Sequence, residues 1–306
     1  MKLRLGTRAS QLATTQSGMV ARDIEAAAAA RGVDVEVELV HITTEGDVNR
    51  ASLVGLSQTG VFVNALRDAL LADECDLLVH SLKDIPVVQP EDIELAAVPP
   101  REDVRDALCT RGEALADLPA GARVGTGSPR RAAQVLALRP DLTVEGIRGN
   151  VDTRLGKLHD GFDAVVLAAA GLARLGRSDD VTEFFAEDSM VPAPGQGALS
   201  IEIKPDADPA WADIVRSLDD PATRAAVTAE RTVLQVLEAG CAAPVAAYAT
   251  VDGPRLTLHA RVVNTAGTLV LNETASGPVA QAAALGRSTG HTLLGRGAAR
   301  LMGGTK

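Results

Sequence analysis

Short apolar runs alternate with amphipathic stripes over the first two-thirds of the chain, the rhythm of βα units built into a mostly parallel sheet. Strand Leu3 to Leu5 leads into Gly6-Thr7-Arg8-Ala9-Ser10, and Ser10 is a natural N-cap for a helix from Gln11 to about Ala30. Val33, Val35, Val37 and Leu39 then alternate with Asp34, Glu36 and Glu38, which predicts a half-buried strand reaching Ile42. Residues 43–60 have no period and predict a loop, and Val61 to Ala72 predicts an amphipathic helix. Leu77-Leu78-Val79 reads as a buried strand, followed at once by His80, Ser81, Lys83 and Asp84. In an open α/β sheet the carboxyl end of a strand is where ligands bind, so this cluster is a candidate for chemistry. A strand followed by a solvated turn is the plainer alternative.

After a strand near Leu95 to Val98, Pro99-Pro100 and the charged run Arg101 to Asp106 mark either a first domain boundary or an ordinary rigid loop. Strands at Arg123–Gly125, Leu142–Ile147 and Ala164–Leu167 alternate with helices at Pro129–Leu138, Val151–His159 and Ala170–Leu175. Met190 to Gly197, rich in proline and glycine, is a second boundary, followed by a strand at Leu199–Ile203 and a helix around Trp211 to Leu218. Two crossings of such a hinge suggest that the chain leaves its first domain and returns to it. A long alanine-rich helix from Pro221 to Ala239, ended by Gly240, precedes strands near Pro244–Val251, Arg255–Val262 and Thr268–Thr274. The first pair is joined by an Asp252-Gly253 turn, and a last helix runs from about Val279 to Leu301. The expected class is α/β: residues 1–98 with 198–217 as a discontinuous first domain, 101–193 as a second, and 219–306 as a smaller α+β third.

Composition narrows the function. A chain of 306 residues is too long for one typical core, and its 46 % hydrophobic and 23 % charged residues are ordinary for a globular protein. Aromatics are only 2 %, so cores must be built from Ala, Val and Leu, and stacking platforms for nucleobases are scarce. A net charge of −10 argues against nucleic acid or an anionic membrane as partner. Cys75, Cys109 and Cys241 are odd in number and lack CxxC spacing, so neither a disulfide framework nor a zinc site is suggested. The five histidines have no metal-ligand spacing. No signal-type segment and no long apolar run is visible, and a reducing cytoplasm is the expected compartment.

Affinity for anions must therefore come from local arginine clusters. In Gly125-Thr126-Gly127-Ser128-Pro129-Arg130-Arg131, Ser128 as N-cap and Pro129 at the first helical position put both arginines in the first turn. Cations there oppose the helix dipole at a cost of roughly 0.3–1 kcal/mol each when exposed. That cost, accepted twice, suggests an anion site rather than two solvated arginines. Arg148 at a strand end and Arg154 in the next helix repeat the arrangement, Arg174 follows the third strand, and Arg8 stands after the first strand of the chain. These six guanidinium groups could converge on one crevice with Asp84, which implies a ligand with several carboxylates. Walker spacing and G-x-G-x-x-G are both missing, so a nucleotide is not expected.

Cys241 follows a helix carboxyl terminus, where the dipole raises a thiol pKa. That disfavours a turnover nucleophile but not a sulfur permanently carrying a covalent group; an inert buried thiol is the plain alternative. Taken together, Gly6 to Ser10, Val79 to Pro86, Gly125-Thr126 with Ser128 to Arg131, Arg148-Gly149-Asn150 with Thr153-Arg154, Ala170 to Leu172 with Arg174 to Gly176, Pro194 to Ala198, and Glu230-Arg231 ahead of Gly240-Cys241 resemble the porphobilinogen deaminase (hydroxymethylbilane synthase) family. The resemblance covers nearly the whole chain and is strongest to actinobacterial members.

The resemblance implies two domains similar to the periplasmic-binding-protein type II fold with an active cleft between them, and a third domain carrying a dipyrromethane cofactor through a thioether to Cys241. It implies a monomeric, metal-free cytoplasmic transferase. Such an enzyme joins four porphobilinogen units head to tail with loss of ammonia and releases hydroxymethylbilane by hydrolysis, as a step of porphyrin and haem biosynthesis. Asp84 matches the catalytic carboxylate that steadies a cationic azafulvene. Lys83, Thr126, Ser128, Arg130, Arg131, Arg148 and Gly149 match cofactor-binding positions, and Arg8, Ser10, Arg148, Arg154, Arg174 and Gln196 substrate-binding ones. Two departures stand out: residues 53–59 lack the lysines common in the family, and Gly127 stands where serine is common. A carboxylate-binding module and a cysteine hydrolase are the competing classes; a missing export signal counts against the first and the lack of a suitable His against the second.

Overall fold

The computed structural model describes residues 1–42, 58–239 and 243–303, with side chains in the helix beginning at Gln58 described from Val63. It divides into two compact units, residues 1–101 with 198–224 and residues 102–197 with 225–306.

The first unit begins with β1 (Lys2–Thr7), α1 (Gln11–Ala29), β2 (Glu36–His41), α2 (Gln58–Leu71), β3 (Leu77–Ser81) and β4 (Glu94–Ala97). The chain then builds most of the second unit: β5 (Asp106–Thr110), β6 (Arg123–Thr126), α3 (Pro129–Leu138), β7 (Thr143–Gly146), α4 (Val151–Leu155), β8 (Ala164–Ala168), α5 (Ala169–Arg174) and β9 (Glu183–Phe184). It returns to the first unit with β10 (Leu199–Ile203) and α6 (Pro209–Arg216).

The first sheet has the order β2-β1-β3-β10-β4, with β1 parallel to β2 and β3, and β10 antiparallel to both its neighbours. The second has the order β7-β6-β8-β5-β9 with the same pattern of directions, β5 being its antiparallel strand. The two α/β sheets are thus one topology used twice, although the sequence has no visible repeat. This is the α/β class expected from the sequence. Helices cover both faces of each sheet. On one face of the first, Val20, Ala21, Ile24 and Ala28 of α1 meet Leu5, Leu77, Val79 and Ile201. On the other, Leu66, Ala69 and Leu70 of α2 meet Cys75 and Leu78. In the second sheet Val135 of α3 packs with Leu108, Val124 and Val166, while Leu155 and Leu172 pack with Ala107, Cys109, Val165 and Leu167.

The chain continues with α7 (Pro221–Val236) and three antiparallel strands, β11 (Val245–Asp252), β12 (Arg255–Val263) and β13 (Val270–Pro278), then α8 (Ala282–Gly295) and α9 (Ala298–Leu301). Ala229 and Val233 of α7 and Leu293 of α8 cover one face of this smaller sheet, against Ala247, Leu256, Leu258 and Val262.

Several elements differ from expectation. The charged run ending at Asp106 leads into a strand that sequence reading misses, β5. The helix expected over 151–159 is α4 followed by a 3₁₀ turn, Gly156–His159. The long helix after Pro221 ends early, because Glu238 takes a left-handed conformation (φ 49) and Ala239 N–H donates to the Leu234 carbonyl at 3.0 Å. That is the closing bond of a Schellman motif with a glutamate in the place glycine usually fills; Gly240, the expected terminator, lies outside the described residues. The last helix is broken at Gly297 (φ 92). The expected loop 43–60 falls outside the described residues up to 57, and α2 begins at Gln58.

The β12–β13 turn abuts α3 at Gly267. Its φ is 73, and a Cβ there would lie 2.6 Å from the Ala137 nitrogen and 2.8 Å from the Ala133 carbonyl oxygen. Those obstacles are backbone and cannot swing aside. Gly267→Ala is expected to lower unfolding free energy by about 1–3 kcal/mol, read as a lower denaturant midpoint at unchanged slope.

Candidate functional site

The first unit carries a pocket at the carboxyl ends of β1 and β3, lined by Arg8, Ser10, Gln16, His80, Ser81 and Asp84, with Leu12, Val63, Leu66 and Val79 as its apolar side. Each polar group is placed by a local device. Ser10 caps α1, its Oγ accepting from Ala13 N–H at 3.4 Å, so Arg8 sits in the strand-to-helix turn. Gln16 Nε2 donates to Ser81 Oγ at 3.0 Å. Beyond β3 the chain makes a 3₁₀ turn, Leu82–Asp84, pinned by buried Leu82 and Ile85 and by Leu82 N–H donating to the Ala198 carbonyl at 3.0 Å. That turn lifts Asp84 into solvent at the rim. Its carboxylate has no hydrogen-bond or ion-pair partner among the described residues, so it is available to a ligand.

The second unit holds the remaining predicted residues, apart from Cys241, which lies outside the described ones. Ser128 caps α3, accepting from Arg131 N–H at 3.4 Å, and Pro129 opens the helix, as its sequence predicts. Arg130 and Arg131 are neither solvated nor splayed open: they are 4 % and 5 % exposed and turn onto Asp106, which is 0 % exposed. Arg130 Nη1 lies 2.7 Å from Asp106 Oδ2, Arg131 Nε donates to Oδ1 at 2.8 Å, and Gln196 Nε2 donates to Oδ1 at 2.8 Å. The expectation of two guanidinium forks open to an anion is corrected to this extent. Gln196, expected to meet substrate, is fully buried and also donates to the Val104 carbonyl at 2.7 Å. The reason is β5: once Asp106 is a strand residue in a sheet covered on both faces, it needs cationic partners.

Two guanidinium groups on one carboxylate leave a positive surplus. Burial alone would raise the Asp106 pKa, but the charges of Arg130 and Arg131 outweigh it and hold the carboxyl well below its ordinary range. Burial lowers the Arg131 pKa; Asp106 opposes that, while repulsion from Arg130 and Arg154 adds to it. Arg130 Nε is buried without a hydrogen-bond partner. Nearby, Asn150 caps α4 through Thr153 N–H at 2.8 Å, and Arg154 Nε donates to the Gly149 carbonyl at 2.8 Å. Gly149 has φ 111, a conformation that glycine adopts without the strain a side chain would bring. Arg148 beside it is exposed and has no partner among the described residues. Arg174 donates to the Gly197 carbonyl at 2.7 Å and is pushed below its ordinary pKa by burial, with Glu102 opposing. Gly127 is required here rather than merely tolerated, since a Cβ would lie 2.8 Å from the Ile147 carbonyl oxygen.

Sequence reading misses a second buried carboxylate, Glu202 of β10, which is 0 % exposed. Arg67 of α2 donates to it through Nε at 2.9 Å and also through Nη2, Gln89 Nε2 donates at 3.0 Å, and His80 Nε2 lies 3.4 Å away. Burial would raise this carboxyl, but Arg67, through its hydrogen bonds and charge, and the neighbouring His80 hold it at about 2. The available signal was a charged residue in a strand flanked by other strands of the same sheet. Among the described residues no group of three His, Cys, Asp or Glu side chains could hold a metal ion.

Comparison with known proteins places this geometry in a family. Residues 3–211 match the family model "Porphobilinogen deaminase, dipyromethane cofactor binding domain", and residues 224–295 match "Porphobilinogen deaminase, C-terminal domain". A porphobilinogen deaminase of Thermobifida fusca is 52 % identical over 309 residues, covering 98 % of this chain and 95 % of that protein. One from Corynebacterium diphtheriae is 47 % identical over 306 residues, covering 99 % and 100 %. Among solved structures, a YaeC-family lipoprotein from Enterococcus faecalis is similar with TM-score 0.41 at 14 % identity, covering 71 % of this chain and 90 % of that one. A TRAP periplasmic solute binding protein from Desulfovibrio salexigens has TM-score 0.43 at 12 % identity, covering 72 % of each. Those two likenesses are too distant to bear on this chain's chemistry.

The Asp106 and Glu202 carboxyls have pKa values depressed from ordinary ones of 3.8 and 4.5, so their stabilisation is complete above those values and is lost as pH falls through the folded-state pKa. The thermal midpoint should therefore fall steeply between about pH 4.5 and pH 2. Asp106→Asn, which leaves Arg130 and Arg131 facing each other, should cost about 3–5 kcal/mol at neutral pH and flatten the acid limb of the melting curve.

Proposed function

The chain belongs to the porphobilinogen deaminase family, and on that premise we propose that it joins four porphobilinogen units head to tail onto a dipyrromethane held by Cys241, then releases hydroxymethylbilane by hydrolysis. The observation that carries this reading is the surplus of guanidinium over carboxylate around Asp106, with Arg148 and Arg154 at the next strand end. Porphobilinogen and a dipyrromethane both bear acetate and propionate groups, and planar forks match carboxylates two bonds at a time. The residues present therefore fit the group. When bound, the dipyrromethane supplies the pyrrole carbon to which substrate units are added.

The chain's own residues would divide the work. Arg148, Arg154, Arg174 and Arg8 bind side-chain carboxylates, helped by Thr126, Ser128, Ser10 and the exposed backbone at Gly149. Arg130, Arg131 and Gln196, spent largely on Asp106, fix the β6–α3 turn and add their net positive charge to it. Asp84 is the catalytic residue: loss of ammonia leaves a cationic pyrrole, and a carboxylate with no partner among the described residues can lie against its ring N–H and lower the barrier electrostatically. Lys83, one residue away, adds a cation for a substrate carboxylate.

Cys241 is favoured as the point of attachment by the state of the other two thiols. Cys75 and Cys109 are fully buried, and burial raises their pKa values to about 11 and about 12. Neither thiol is reachable or acidic enough to be alkylated. The same reading makes the protein a cytoplasmic monomer with three domains, residues 1–98 with 198–217, 101–193 and 219–306. Its partner is a small molecule rather than nucleic acid or membrane; among the described residues no helix is long and apolar enough to cross a bilayer.

Intact mass spectrometry tests attachment: the protein should exceed 31.6 kDa by two pyrrole units, and Cys241→Ser should remove the excess. An unmodified mass in active protein would overturn the reading. Asp84→Asn should keep the added mass while reducing porphobilinogen turnover at least a thousandfold; near-normal turnover would take Asp84 out of the mechanism. Arg148→Ala should raise KM or prevent the mass increase altogether, and unchanged kinetics would make that arginine a surface residue.

A further inference from the structure

His80 is only 8 % exposed, yet it lines the same pocket as Arg8, Ser10 and Asp84. Its Nε2 lies 3.4 Å from Glu202 Oε2, at ion-pair distance, and is buried with no hydrogen-bond partner among the described residues. Glu202 cannot turn away, because Arg67 and Gln89 hold both its oxygens. A neutral imidazole carries one N–H, and a carboxylate beside Nε2 selects that nitrogen to bear it. Nδ1 is left as a lone-pair acceptor, and no described residue hydrogen-bonds to it. A histidine serving only the core would be expected to have both nitrogens engaged by protein. This one has only the Glu202 carboxylate beside Nε2 and no described partner at Nδ1, and it lines the pocket.

We infer that His80 is a substrate-binding residue whose Nδ1 accepts a hydrogen bond from the aminomethyl ammonium of porphobilinogen, with Glu202 and Arg67 as positioning residues behind it. The inference rests on the function proposed above. Porphobilinogen has two nitrogen donors, the ring N–H and the aminomethyl group, and among the pocket's acceptors, which include the Ser10 and Ser81 hydroxyls and the Gln16 amide, Asp84 and His80 differ in charge. The anionic one, Asp84, belongs with the ring, where positive charge accumulates. The neutral one suits the leaving group: it orients the C–N bond without removing the proton that departure requires. The C–N bond then breaks with its electron pair on nitrogen, ammonia leaves neutral, and the positive charge passes to the pyrrole.

Two isosteres separate this role from a structural one. In His80→Gln the side-chain amide nitrogen replaces Nε2 and keeps the Glu202 contact, but nothing replaces Nδ1. In His80→Asn the amide oxygen takes the place of Nδ1 while the Glu202 contact is lost. With the cofactor-bearing enzyme, the thermal midpoint of His80→Gln should match wild type while KM for porphobilinogen rises at least tenfold. His80→Asn should melt lower but keep KM within about threefold. An inhibitory analogue with methyl in place of aminomethyl should bind wild type and His80→Gln equally. Wild-type KM in His80→Gln, or equal weakening of substrate and analogue, overturns the inference while leaving the proposed function standing. A wild-type protein that does not consume porphobilinogen overturns both.

Discussion

The Asp106 carboxylate, removed from water and clasped by Arg130, Arg131 and Gln196, and the Glu202 carboxylate, clasped by Arg67 and Gln89, obey one constraint. A sheet with helices on both faces has no wet side, so any ion on its inner strands must find a counter-ion from a covering element or it could not stay charged. Both carboxylates lie on the antiparallel strand of their sheet, the one delivered from the other side of a domain crossing. Each draws its arginine from a helix packed on that sheet. These contacts fix α2 and α3, and with them the strand ends from which the candidate site is built.

This constraint explains what was legible in the sequence. The parallel strands, the caps at Ser10 and Ser128, and the excursion and return of the chain could be read because period, hydroxyl and proline act locally. Asp106 and Glu202 could not. Leu199-Ser200-Ile201-Glu202-Ile203 alternates as a half-wet strand would, and Arg101 to Asp106 looks like a solvated linker. Only the covering helices turn these positions inward, and that information resides in α2 and α3, far away in sequence. The same cause revises the arginine pair: its spacing pointed to an anion, and the first anion it meets is the protein's own. Glu238 is a different case, a left-handed residue that composition gives no reason to suspect.

The site follows from the division between charges that are spent and charges that are kept. Asp84 and Arg148 are exposed and uncommitted to other described residues, whereas Arg130, Arg131 and Gln196 are committed. Within the second unit, exposed Arg148 stands near a buried cluster of two guanidinium groups on one carboxylate whose net charge is positive. Because that cluster is already ordered, little side-chain entropy is lost when an anion arrives.

The placement of β10 has a consequence for how the polypeptide matures. Among the described residues β4 hydrogen-bonds to no strand but β10, which is synthesised about a hundred residues later, after the whole of the second α/β sheet. On the ribosome, the amino-terminal half-sheet must wait with a raw edge at β3 and with Arg67 lacking its Glu202 partner, while the strands of the second sheet all lie between residues 106 and 184. Vectorial synthesis thus makes all strands of the second sheet available before those of the first, and the waiting edge is where chaperone capture or misassembly would begin.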